Sequence, residues 1–167
     1  YGKPFVNLMD VFGYKELFLK DFDLVDVTQK ELEAFDVRKG DVLFVRSSVK
    51  PSGVGLTTLV QDSLPNTVYS GFIIRFRSHS THLTHTFKKY CFYEKRFRVS
   101  LCSRSTISAN TNINQESLKI LEIPIPPLEE QHEFNSRMNH YENLLNMSEK
   151  SIETSKKMLK SLINQVF

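Results

Sequence analysis

The period of hydrophobic and polar positions changes several times along the chain, and each change marks an element. Val42-Leu43-Phe44-Val45, entered through Gly40-Asp41, is a compact apolar run of β-branched and aromatic residues that predicts a buried strand. The run from Val68 to Phe76 predicts a second. Ahead of them, Thr28-Gln29-Lys30-Glu31 has the spacing of a capping box, in which hydroxyl and carboxylate each satisfy an orphan N–H, so a short helix is expected to run to about Phe35. From Leu83 the apolar positions Leu83, Phe87, Tyr90 and Cys91 fall at helical spacing and predict a helix with its basic residues on the other faces. Between the two strands, Ser47 to Gly55 is rich in serine, glycine and proline and reads as a loop whose backbone is free to approach a ligand closely.

A different regime begins at Ile123-Pro124-Ile125-Pro126-Pro127, where the prolines forbid helix and force an extended, rigid boundary. Beyond it, residues 128–167 contain neither proline nor glycine. Phe134, Met138, Tyr141, Leu145, Ile152, Leu159, Leu162 and Val166 follow there in alternating steps of three and four. This predicts one long helix with a heptad seam: Met138, Leu145, Ile152, Leu159 and Val166 at position a, and Phe134, Tyr141, Ser148, Ser155 and Leu162 at position d. Such a helix is far longer than a small domain needs for its own core, so the seam calls for a partner helix. The expected fold is α+β, a compact mixed-sheet domain over residues 1–127 followed by a long coiled-coil helix over 128–167.

Composition narrows the class. With 167 residues, 40% of them hydrophobic and 25% charged, the chain fits one soluble packed domain, and it holds no apolar stretch of membrane-spanning length and no signal peptide, so a cytoplasmic protein is expected. Phe5-Val6-Asn7-Leu8 reads like the middle of a domain, and further sequence is expected ahead of it. Cys91 and Cys102 form no Cys-x-x-Cys pair, and reduced, partly buried thiols are expected rather than a disulfide or zinc site.

The formal net charge of +3 conceals a strong asymmetry. Residues 1–36 sum to −4, whereas in residues 75–104 eight basic residues against the single acid Glu94 give +7. That block, Arg75, Arg77, Lys88, Lys89, Lys95, Arg96, Arg98 and Arg104, interleaves with Tyr90, Phe92, Tyr93 and Phe97. It suits a face that neutralises phosphates; composition alone leaves an ordinary solvated basic surface equally open. Arg75 and Arg77, and likewise Arg96 and Arg98, would share a face if extended and splay if helical.

Catalytic chemistry finds little support. The 46–55 loop lacks the Lys-Ser or Lys-Thr ending of a phosphate-binding P-loop. His79, His82 and His85 are spaced by three but have no neighbouring carboxylate or cysteine to complete a metal site. Neither the clustered acids with lysine of a nuclease nor the glycine-rich cofactor loop and Asn- or Asp-Pro-Pro-aromatic element of a methyltransferase is present, so no cofactor, metal or catalytic residue is expected.

Three stretches carry a resemblance to a known family, the specificity subunits of type I restriction-modification systems. Val37-Arg38-Lys39-Gly40-Asp41-Val42-Leu43-Phe44-Val45-Arg46-Ser47-Ser48 resembles the family's "kkGDil" strand and the serine- and glycine-containing loop after it. Tyr69-Ser70-Gly71-Phe72-Ile73-Ile74-Arg75-Phe76 resembles the strand that follows. Ile120-Leu121-Glu122-Ile123-Pro124-Ile125-Pro126-Pro127-Leu128-Glu129-Glu130-Gln131 is similar to the "l.iPiPpleeQ" signature that opens the family's long helix, and is the most specific of the three.

The resemblance implies a domain that grips one half of a split double-stranded DNA site. It also implies a helix that fixes the spacing to the other half and docks methyltransferase subunits, with a restriction subunit in the complex and catalysis left to these partners. The family's usual chain has two recognition domains and two such helices; this sequence has one of each. The second half is then supplied by homodimerisation or by the rest of a longer chain. Arg46, Ser47, Lys50, Arg104 and Thr106 are the candidates for reading base edges, and Arg75, Arg77, Lys88, Lys89, Lys95, Arg96 and Arg98 for holding phosphates. Two other readings remain open: the recognition region of a fused restriction-modification enzyme, and a coiled-coil interaction module that does not bind DNA.

Overall fold

The structure is a computed structural model; it describes residues 2–107 and 110–166, with only the backbone of residues 107, 165 and 166. The chain is α+β and divides into two compact units, Tyr1–Pro126 and Pro127–Phe167.

The predicted strand β4 (Val42–Val45) lies inside a four-stranded sheet between β6 (Thr57–Val60) and β8 (Ile73–Phe76), with β2 (Glu16–Leu17) on the far edge, in the order β2-β6-β4-β8. All four residues of β4 are buried because the sheet is covered on both faces. Leu43 and Val45 pack with Val6, Val11, Val60 and Ile73 in one core cluster. Pointing the other way, Phe44 meets the rings of Phe92 at 4.9 Å and Phe97 at 6.4 Å, and Phe76 closes on Phe92 at 5.3 Å. Each such side chain, fully buried, contributes roughly 1.5–3 kcal/mol.

A second sheet, β3-β1-β7, joins Asp23–Val25, Lys3–Val6 and Val68–Tyr69. The expected strand from Val68 to Phe76 is therefore two strands in two sheets, β7 (Val68–Tyr69) and β8. The break is a turn at Ser70-Gly71-Phe72, where the Ile73 N–H donates to the Ser70 carbonyl at 2.9 Å and the Phe72 N–H donates to Ser70 Oγ at 3.3 Å.

Helix α1 (Leu8–Val11) and strands β1 to β3 lie between Lys3 and Val25, where the apolar pattern predicts nothing; a capping box at Asn7 and Asp10 opens α1. Helix α2 (Gln29–Ala34) forms where the second capping box places it, with Thr28 as N-cap and Glu31 closing the box.

The helix expected from Leu83 is replaced by two 3-10 turns, Phe87–Lys89 and Cys91–Tyr93, followed by α3 (Lys95–Ser103). The apolar spacing correctly picks out residues that are buried, but successive i→i+3 closures, Tyr90 N–H to the Phe87 carbonyl and Tyr93 N–H to the Tyr90 carbonyl, interrupt the α period. Glu94 then starts a fresh helix by accepting from the Phe97 N–H at 2.8 Å.

Past α4 (Gln115–Lys119) and the proline run, α5 (Leu128–Val166) is a single helix of 39 residues, roughly 58 Å long at ~1.5 Å per residue. Along it, Tyr141, Leu145, Ile152, Leu159 and Leu162 of the seam are exposed, as are Leu144, Met147, Met158 and Ile163 beside it; Phe134 and Met138 are half-buried, and the side chain of Val166 lies outside the described residues. Among the described residues no helix is long and apolar enough to cross a membrane.

Candidate nucleic-acid interface

After β4 the chain is not a plain loop. Ser47–Ser48 forms β5, which pairs antiparallel with β10 (Thr111–Asn112), and β10 pairs in turn with β9 (Thr106–Ile107). The register sets Ser47 opposite Asn112 and Asn112 opposite Thr106, so these three residues form one row across the sheet. Ser47 is buried, Asn112 half-buried and Thr106 exposed.

Arg46 is exposed at the start of this sheet, and its backbone is locked on both sides: its N–H donates to the Phe72 carbonyl at 2.9 Å and its carbonyl accepts from the Ile113 N–H at 3.0 Å. Its guanidinium donates to the Gly71 carbonyl at 3.2 Å. Lys50 stands exposed where β5 gives way to the 3-10 turn Pro51–Gly53.

The glycines of this segment serve packing inside the protein rather than approach of a ligand. A Cβ on Gly55, whose φ is +68°, would sit 2.1 Å from Leu101 Cδ2, and one on Gly53 would sit 2.4 Å from Ser48 Oγ. Arg98 of α3 clamps the same turn, donating to the Val54 carbonyl at 2.9 Å and the Ser52 carbonyl at 3.1 Å.

The eight cations of the 75–104 block separate in space. Arg77 grips Asp41 with two bonds of 2.7 Å each and reaches Asp36 at 3.1 Å, while Arg75 binds Asp36 at 2.6 Å. The hydrogen bonds that its guanidinium donates to Asp41 push the Arg77 pKa well above its ordinary value. Burial opposes the ionised form of Asp36, but hydrogen bonds from Arg77 and Arg38 outweigh it and hold that carboxyl below its usual range.

Lys89 is only 4% exposed and pairs with Glu16 at 2.9 Å. Lys88 donates to the Gly40 carbonyl at 3.0 Å, and its pKa is lowered chiefly by burial. Arg75, Arg77, Lys88 and Lys89, together with Arg98, thus hold the fold together in this structure, and serving phosphates would require them to leave these partners.

Lys95, Arg96 and Arg104 are exposed. Arg96 and Arg98 splay, as a helix requires. Arg96, Ser100 and Arg104 recur every four residues and line one side of a groove of about 510 Å³ whose other side is Ile120 to Pro124.

Of the residues picked out as readers, Arg46, Ser47, Lys50 and Thr106 meet at the three-stranded sheet, and Arg104 precedes β9 by two residues. Asn112 joins the row unannounced; no local spacing links it to Ser47, 65 positions earlier. Also at this edge are Val49 and Phe72, large apolar side chains left in solvent. His85 bonds Gln61 through Nε2 at 2.7 Å, and burial, then the charges of Lys88 and Lys39, lower its pKa; His79 and His82 are exposed. Cys91 is a buried free thiol pushed up to about 12 by burial, and Cys102 is free and half-buried.

The chain is 23% identical over 169 residues to a Methanocaldococcus jannaschii protein that carries the name type I restriction enzyme MjaX specificity subunit. The alignment covers 99% of this chain and 39% of that relative, so the chain spans about two-fifths of the relative's length. The model of the type I restriction modification DNA specificity domain matches residues 3–155, nearly the whole chain, and the protein belongs to that family, whose role is DNA recognition in type I restriction-modification.

Proposed function

We propose that this chain reads one half of a bipartite DNA site and directs methyltransferase and restriction subunits to it, without catalysing either reaction. DNA lies against the β5-β10-β9 sheet, where Arg46, Lys50, Arg104, Thr106 and Asn112 offer hydrogen bonds to base edges. Lys95 and Arg96 hold the phosphates.

The observation that carries this reading is the pairing of β5 with β10 and of β10 with β9: it gathers donors from two segments some 60 residues apart into one small polar surface with cations around it. The exposed seam of α5 packs against a second such helix, from another copy or from a longer chain, and with the proline-rich junction Ile123–Pro127 it forms the scaffold on which methyltransferase subunits dock. A rigid scaffold suits the chemistry, because the methylated base must be flipped out at a fixed offset from the bases being read.

Two experiments test the proposal. Methylation mapping in cells carrying the complete system should reveal a bipartite motif, and purified chain with S-adenosylmethionine and that DNA should transfer methyl groups only when the methyltransferase subunit is added; transfer by the chain alone would sink the reading. Ile152→Asp puts a charge in the seam at a cost of several kcal/mol if unpaired, so sedimentation should show the assembly dissociating, whereas an unchanged oligomeric state would remove α5 from the interface.

A further inference from the structure

Beside the polar row lies an apolar rim that hydrogen-bond readout leaves without a use. Val49 is 81% exposed, Phe72 58% and Met9 72%, and with Phe12 and Lys50 they line one shallow groove of about 570 Å³. The groove is lined from α1 and its C-cap, from β5 and the two residues after it, from the turn before β8 and from Asn110; none of these lining residues is acidic, although α1 carries Asp10 outside the lining.

Its shape is held by the protein. The Arg46 N–H and guanidinium bond to the carbonyls of Phe72 and Gly71, the Lys50 N–H donates to Ser48 Oγ at 3.2 Å, and Gly53 leaves room for Ser48 and the Phe12 ring. Large apolar side chains kept in solvent on a braced frame, with Arg46 and Lys50 at their margin, are the pattern of a binding surface for a polyanion with an apolar feature.

Resting on the DNA-reading role proposed above, we propose that Val49 and Phe72, supported by Met9, contact thymine C5-methyl groups in the major groove, making at least one A·T pair of the half-site a requirement for tight binding. The thymine methyl is the apolar group that base edges present there, and apolar side chains are its complement. With strands spaced ~4.8 Å apart, the outer strands of the adjoining three-stranded sheet lie ~10 Å apart, too broad for a minor groove of ~6 Å, whereas a major groove of ~12 Å admits two neighbouring strands as a ribbon. That placement opposes a wedge driven between base steps from the minor-groove side.

The test uses the chain with its methyltransferase subunit and duplexes of the mapped motif in which each thymine in turn is replaced by uracil, which lacks only the methyl. At one or more positions uracil should weaken binding by about fourfold, the factor expected for one buried methyl-sized group. Val49→Ala should weaken binding to the thymine duplex by a similar factor and erase the thymine–uracil difference at that position, with an unchanged melting temperature. Phe72→Ala should do the same at that position or its neighbour.

Several results would overturn the assignment: a motif without A·T pairs, no sensitivity to uracil anywhere, or a thymine–uracil difference that persists in both variants. Loss of methyltransferase-subunit binding in the variants, with DNA affinity intact, would make the rim a protein interface instead. If the wild-type complex bound no duplex at all, the DNA-reading role itself would fall, and the rim assignment with it.

Discussion

Arg77 and Arg96 belong to one run of positive charge and have opposite fates. Just past the end of β8, Arg77 turns onto Asp41 and Asp36 and is one-fifth exposed; on α3, Arg96 stands in solvent beside a groove. A half-buried cation at the end of a strand packed on the core needs carboxylates close by, whereas the outer face of a surface helix imposes no such demand. Density of charge along a sequence therefore overstates the charge that a surface presents. Of the +7 block, a minority faces outward, and the loop cations Arg46 and Lys50 from outside the block stand with the exposed group.

The contrast can be broken by experiment, beginning with its largest effect. Asp41→Ala leaves Arg77 without its bidentate partner in a site where the carboxylate is 1% exposed, and should cost about 3 kcal/mol, read as a lower urea midpoint. A loss below about 0.5 kcal/mol would show that Arg77 is not bound to the fold in this way.

Asp36 sets the next effect, through pH. Its folded pKa is lowered, so the native state binds its proton less readily than the unfolded chain does. Its stabilisation is fully present above the unfolded value of about 3.9 and is lost as pH falls through the lower folded value. Asp36→Asn should therefore reduce stability at pH 7 and flatten the loss of stability in strongly acidic solution; a parallel pH profile would contradict the network.

Arg98→Ala removes two bonds to the carbonyls of Val54 and Ser52 and should destabilise by about 1–2 kcal/mol while leaving the salt dependence of DNA binding unchanged. Replacing Lys95 and Arg96 together should do the reverse. Stability should stay within about 0.5 kcal/mol, and the slope of log affinity against log salt should flatten by about two units, with binding to all sequences weakened alike. If Arg98 changes the slope and the pair does not, the inward and outward groups have been exchanged.

How much of this was legible beforehand follows the range of the interactions involved. The apolar run of β4, the capping box of α2 and the heptad helix after the prolines are written in neighbouring residues, because burial period, cap spacing and absence of breakers act within a few positions. The same locality explains two misreadings. The run from Val68 to Phe76 looks continuous until Ser70-Gly71 is allowed to turn and deliver its halves to different sheets, and apolar spacing after Leu83 identifies buried residues without distinguishing an α-helix from successive 3-10 turns.

From residue order alone came the class of the molecule, its proline-marked boundary, its long helix with an apolar seam and the candidate donors and cations. Tertiary structure decided which of those donors share one sheet and which cations stand exposed. Ser47 meets Asn112 across 65 residues and Arg77 meets Asp36 across 41, and pairings of that separation depend on how strands stack and register, which no local period encodes.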